Sequence, residues 1–242
     1  MAGALTSTVP GGTDTVDGAV ARLASLPGLT TASEVAADVA GASAAGKLLP
    51  VVPELEAVLP LRGLRRGSTV SVTGSRAALL ALLARATAAG SWAAVVGLPD
   101  VGLVAAAELG VELRRLALVP RPGPDAVRVA ASLFDGVDIV VLPGGAGTTA
   151  ASARRLSARA RHRGGVLIAE GRWPGAEVEL TCAPGAWDGV DEFGKGYLSA
   201  RTMRIRGRGR SSAQVRETTV LLPGPSGRVE AGEQALRLEV AS

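Results

Sequence analysis

Leu61-Arg62-Gly63-Leu64-Arg65-Arg66-Gly67-Ser68-Thr69-Val70-Ser71-Val72-Thr73-Gly74 is the stretch that decides the fold. From Ser68 to Thr73 the residues alternate with the two-residue period of a strand, Gly74 ends it, and residues 77–88 are an unbroken run of helix formers. The spacing predicts strand, turn, helix. Downstream the unit recurs: strand 93–96 before a helix at about 103–109, strand 116–119 before a helix at about 125–133, strand 138–142 before a helix at about 149–161, then strand 166–169. Such alternation implies the α/β class, with a mainly parallel sheet and helices on both faces. Beyond Pro174 the helical period stops, and residues 177–182, 197–206 and 218–222 read as antiparallel strands added to the sheet.

Toward the N-terminus, Pro50 and Pro53 mark a boundary near residue 50. Residues 1–18 hold Gly, Thr and Ser with little to bury and read as a disordered lead; Val16, Ala19, Val20 and Leu23 then recur at the spacing of a short helix over 16–25.

A chain of 242 residues can bury one sizeable core. Lys+Arg is 26 against Asp+Glu 22, and with only Lys47 and Lys195 as lysines the positive charge is almost wholly arginine. A net charge of +4 permits nucleic acid or an acidic protein surface as partner and demands neither. One cysteine, Cys182, and one histidine, His162, cannot build a zinc site or a disulfide frame, so no metal and no cofactor are expected. Residues 1–18 lack the basic start and apolar core of a signal peptide, and no apolar run reaches the ~20 residues of a membrane span. A cytoplasmic protein without a membrane partner is the expectation.

The segment from Leu61 to Gly74 resembles the lead into the phosphate loop of RecA-type recombinases. More follows in register: Ala93-Ala94-Val95-Val96, then Ala105 to Val111 and Leu116 to Pro120, are similar to the next strand, helix and strand of that fold, and Val137-Asp138-Ile139-Val140-Val141-Leu142 to its Walker B strand. The likeness covers about residues 55–205 and, among RecA relatives, is greatest to the ImuA-type accessory proteins of the actinobacterial mutasome. It implies a RecA-like α/β domain over 51–206. By composition residues 1–50 read as a disordered or helical lead, and past Arg206 the Gly, Ser and Pro residues at 207, 209, 211, 212 and 223–227 leave too little apolar content for a core of its own, so 207–242 reads as a flexible extension that holds a strand.

Departures from the RecA pattern bear on the chemistry. A phosphate loop reads Gly-x4-Gly-Lys-Ser/Thr because backbone N–H groups cradle phosphates, lysine neutralises them and the hydroxyl ligates magnesium. Counted from Gly74, the last three positions are Leu79, Leu80 and Ala81, and Arg76 is the only nearby cation. The Walker B strand should end on an acid, and Pro143 stands there; where RecA relatives carry an acid that activates water, this chain has Gly97-Leu98-Pro99, with Asp100 following. These losses imply a domain that is not an ATPase. Only Pro174-Gly175 separates Trp173 from the next strand, so RecA's second DNA-binding loop is also missing by this alignment.

Pro143-Gly144-Gly145-Ala146-Gly147-Thr148 lies between a strand and a helix, where free N–H groups can hold phosphate. It resembles the loop of LOG-type nucleoside-monophosphate phosphoribohydrolases, although Ala151 stands where that family has a glutamate. The plain alternative is a turn whose Thr148 or Thr149 caps the next helix. Arg154, Arg155, Arg159, Arg161 and Arg163 read as a solvated helix face, His162 as a surface residue, Cys182 as core, and Trp92, Trp173 and Trp187 as packing anchors, with Trp187 placed on an exposed turn as its alternative. Arg204, Arg206, Arg208 and Arg210 share one face of an extended chain, with no acid between Arg201 and Arg216. They are candidates for contact with DNA phosphates or an acidic partner, or for protection of a sheet edge. Six aromatics are too few to predict a base-stacking platform, so DNA binding is expected to be weak.

By family resemblance, the expected role is non-catalytic: an accessory factor in damage-induced, error-prone (translesion) DNA synthesis. Its partners would be ImuB, a Y-family-like polymerase homologue, and a replicative-type error-prone polymerase. Two other classes stay open: an enzyme using the Gly144–Thr148 loop on a phosphorylated small molecule, and a self-assembling RecA-like structural protein.

Overall fold

The computed structural model describes residues 46–145, 148–191, 193–210 and 215–232. The helix expected over 16–25, most of the N-terminal lead, and Gly147 lie outside the described residues.

Among the described residues eleven strands and five α-helices follow in order: β1 (Leu48–Leu49), α1 (Pro53–Glu56), β2 (Leu64–Arg65), β3 (Thr69–Thr73), α2 (Arg76–Ala88), β4 (Ala93–Val96), α3 (Leu103–Glu108), β5 (Leu116–Val119), α4 (Ala126–Leu133), β6 (Ile139–Pro143), α5 (Ala150–Arg163), β7 (Val166–Glu170), β8 (Val178–Val190), β9 (Gly196–Gly209), β10 (Val215–Leu221) and β11 (Glu230–Ala231). β1 and β2 form a small antiparallel pair, and the other nine strands form one sheet in the order β11-β10-β9-β8-β3-β7-β6-β4-β5. From β8 to β5 every pairing is parallel; β9, β10 and β11 are antiparallel to their neighbours.

Alternation along the central strands sorts the core into two layers. Val70, Val72, Ala93, Val95, Ile139, Val141, Val166 and Ile168 face one side and pack against α1, α2 and α3; Val96, Val140, Leu142, Leu167 and Ala169 face the other and pack against α4 and α5. Helices on both faces account for the near-continuous apolar runs of β4, β6 and β7, whereas β3 turns Thr69, Ser71 and Thr73 to one side and Val70 and Val72 to the other. α2 is buried around most of its circumference, so its sequence shows little polar–apolar asymmetry. Ser75 starts it by accepting a hydrogen bond from the Ala78 N–H at 3.1 Å, and Thr149 starts α5 in the same way from Ser152. Of the two expected cap residues, Thr149 is the one used.

Three expectations are corrected. β8 is parallel to β3 rather than an antiparallel addition; the link after β7 carries the chain back along the sheet before β8 starts. The boundary near residue 50 falls inside the folded body, since Leu49 is buried and β1 pairs with Leu64 and Arg65. Most importantly, the extension expected from residue 207 is part of the sheet as far as it is described. β9 runs to Gly209, β10 pairs with it over seven residues, and Val220, Leu222 and Val229 enter the core. Few apolar residues suffice there because each strand borrows the core and the hydrogen-bonding edge of the strand before it.

β8 and β9 also outrun the sheet. Beyond Pro184 they continue as a two-stranded ribbon, at whose far end Asp191 accepts hydrogen bonds from the Phe193 and Lys195 N–H groups at 3.0 and 2.8 Å. Trp187, Val190, Phe193, Tyr197 and Leu198 on this ribbon are exposed. Trp187 is therefore neither a packing anchor nor a turn residue; it lies in a strand with the Arg201 guanidinium over its ring at 5.3 Å. Trp173 is buried and donates to Ser157 Oγ at 3.0 Å, and Trp92 carries Arg115 over its ring at 5.7 Å.

Candidate functional site

β3 closes on Gly74, the turn compared above with a phosphate loop. Gly74 takes φ +88°, and a side chain there would run into the Cys182 carbonyl oxygen of β8, so only glycine fits. Leu79, Leu80 and Ala81 point into the core with exposures of 1%, 3% and 0%. The cation in front of the loop is Arg76. Its Nε and Nη2 donate to the two carboxylate oxygens of Glu170 at 2.8 and 3.1 Å, and Nη1 donates to the Asp100 carbonyl at 3.3 Å. The Glu170 carboxylate, through this hydrogen-bonded pair, pushes the Arg76 pKa further above its ordinary value against a smaller desolvation effect. The position is thus filled from within by a two-pronged ion pair linking α2 to the end of β7.

Across the carboxyl ends of the strands, Pro143 sits beside Gly97, and the Gly144 N–H donates to the Glu170 carbonyl at 2.7 Å. A Cβ on Gly144 would lie 2.6 Å from the Arg172 carbonyl oxygen. Close backbone packing therefore accounts for this glycine without a ligand. Gly145 and Thr148, by contrast, line a cleft of about 760 Å³ with Ser71, Thr73, Arg172 and Thr181. It gathers four hydroxyls, the Arg172 guanidinium and the Glu179 carboxylate.

Arg204, Arg206, Arg208 and Arg210 alternate with buried Ile205, Gly207 and Gly209, and all four are exposed on one face as the spacing predicts. Acids absent from their own strand come from its neighbours. Glu217 on β10 takes Arg206 at 2.8 Å and Arg204 at 3.5 Å, and Glu179 on β8 stands opposite Arg208 in the register. Nothing in the local sequence of β9 signals this partial neutralisation. On α5, Arg159 and Arg163 share Asp135, Arg161 reaches Glu177, and His162 is exposed. Cys182 is buried, and burial pushes its thiol up to about 11. Among the described residues no cluster of His, Cys, Asp or Glu could hold a metal ion, and no helix is long and apolar enough to cross a membrane.

The fold and the loop define a mixed α/β protein whose mostly parallel sheet carries an ion-paired, side-chain-filled turn after β3. Residues 57–175 match the family model described as the MT3502 N-terminal domain. Over 178 residues the chain is 42% identical to "Uncharacterized protein Rv3395c" of Mycobacterium tuberculosis (strain ATCC 25618 / H37Rv), a match spanning 70% of this chain and 83% of that one. The chain belongs to this family.

Proposed function

We propose that the protein is a non-catalytic, RecA-like accessory factor of the ImuA type, acting in damage-induced error-prone DNA synthesis by bridging a Y-family-like polymerase homologue, ImuB, and a replicative-type polymerase. The observation that carries the non-catalytic part is the Arg76–Glu170 pair lodged where a RecA-type loop would hold phosphate, with Leu79 buried at the lysine position. ATP with magnesium does not fit these residues. Leu79, Leu80 and Ala81 offer neither a cation nor a hydroxyl, Pro143 cannot bind a hydrated metal, and Glu170 is committed to Arg76. Support for the RecA-like part is the order of elements, with the glycine-ended β3 inside the parallel sheet between β7 and β8, and β6 on the far side of β7. The pathway and the partners rest on the sequence resemblance.

The test has two arms. Calorimetry with magnesium-ATP should show no binding at micromolar concentrations. Deleting the gene should lower the frequency of damage-induced mutation, and a copy carrying Arg76→Ala should restore it, since the pair is a closure and not a catalytic device. Micromolar, magnesium-dependent ATP affinity, or unchanged mutagenesis in the deletion, would overturn the proposal.

A second reading is favoured by the cleft that Gly145 lines, where Arg172 and the hydroxyls of Ser71, Thr73, Thr148 and Thr181, against one acid, Glu179, suit a phosphorylated small molecule. Titration with nucleoside monophosphates, followed by backbone amide shifts at Gly145 and Thr148, distinguishes the two.

A further inference from the structure

At the end of the sheet opposite the glycine loops lies a groove of about 550 Å³ that neither reading uses. Its apolar floor is Leu59, Leu64, Val70 and Val178, with Leu61 exposed on the rim. Arg65 from β2, Arg161 from α5 and Arg210 at the end of β9 converge on it from three elements, against one acid, Glu177. Glu177 is held in place by both Arg65 and Arg161, whereas no carboxylate is paired with Arg210 among the described residues. Ser68 also lines the groove. It is 3% exposed, and its hydroxyl has no hydrogen-bond partner. A buried hydroxyl left unsatisfied is destabilising, and an occupant with a backbone amide or carbonyl removes that cost.

We propose that this groove binds a short acidic–apolar peptide segment of a partner protein: one large apolar side chain on the leucine floor, flanked by carboxylates on the arginine rim, with its backbone hydrogen-bonded to Ser68. The volume lies within the roughly 300–1,000 Å³ typical of ligand pockets. Complementarity of charge selects an acidic occupant, because three guanidinium groups face a single carboxylate. A nucleic-acid strand fits worse. The floor offers no ring on which a base can stack. The proposal stands apart from the nucleotide-site reading, since the groove shares no residue with the Gly74 loop.

The experiment uses the full chain and two panels of fluorescently labelled hexapeptides, each with one central Leu, Phe or Trp. One panel carries flanking Asp and Glu, the other flanking Lys. At least one acidic peptide should bind, with affinity falling as salt rises, and the lysine panel should not bind. Arg210→Glu and Leu61→Asp alter exposed positions and should each weaken binding at least tenfold while the melting temperature holds; Ser68→Ala, at a site of little free volume, should weaken it severalfold. Several results would sink the proposal: no acidic peptide binding below millimolar concentration, equal binding of both panels, full affinity in the folded Arg210→Glu and Leu61→Asp variants, or displacement of the peptide by an oligothymidylate at equimolar concentration.

Discussion

Single residues show most directly why the loop after β3 has this sequence. Gly74→Ala introduces a Cβ against the Cys182 carbonyl at a left-handed φ, so β3 and β8 must separate. We expect a loss of about 3 kcal/mol or more, seen as a large drop in the urea midpoint. Removing the ion pair is a milder change, because Arg76 and Glu170 keep 38% and 25% of their side-chain surface in water. Arg76→Ala should cost only about 0.5–1 kcal/mol after solvent screening. Cys182 gives a pH-dependent signal. With its folded pKa raised by burial to about 11, above the ordinary value of 9.0, the folded protein keeps a proton that the unfolded chain gives up. This contribution to stability is fully present below pH 9 and is lost as pH rises from 9 toward 11. At pH 8 a thiol reagent should label Cys182 only after denaturant is added; fast labelling of the native protein would show that β8 opens locally.

At the scale of elements, the C-terminal strands and the β8–β9 ribbon make opposite predictions. Ending the chain after Arg210 removes β10 and β11 together with Val220, Leu222 and Val229, and leaves β9 as a bare edge. The melting temperature should fall by about 10 °C or more, with aggregation through the new edge. Replacing residues 186–198 by a two-residue turn should leave it within a few degrees, since the outer ribbon contributes almost no buried side chains. On β9, alanine at Arg204, Arg206, Arg208 and Arg210 should change stability little, the ion pairs to Glu217 being exposed. The same variant measures how far this face serves a partner: capture of the polymerase homologue should weaken, and unchanged capture would return the arginines to edge protection.

For the whole molecule, partial neutralisation of the arginine face bears on DNA. Glu217 and Glu179 lie among the arginines, so any DNA affinity should be weak, independent of sequence and strongly salt-dependent. A titration at several salt concentrations checks this, and tight binding that barely changes between low and physiological salt would contradict it.

The alternation at residues 68–73 and the three strand–helix repeats after it determined the α/β class and the positions of β3 to β7, because strands separated by helix formers pack as a mainly parallel sheet between helices. The reading of Leu79 and Pro143 as departures from a phosphate loop came from the resemblance to RecA-type proteins and not from local pattern. What the sequence could not carry was any contact made across distant segments. Arg76 meets Glu170, 94 positions away, only because β7 lies beside β3. Glu217 reaches Arg204 and Arg206 only because β10 folds back on β9. The C-terminal strands looked too polar to fold, since local composition counts a strand's own apolar residues and not the edge and core its neighbours lend it. The groove of Arg65, Arg161 and Arg210 has no sequence signature either, because its charges come from three separate elements and become one site only when the sheet brings their ends together.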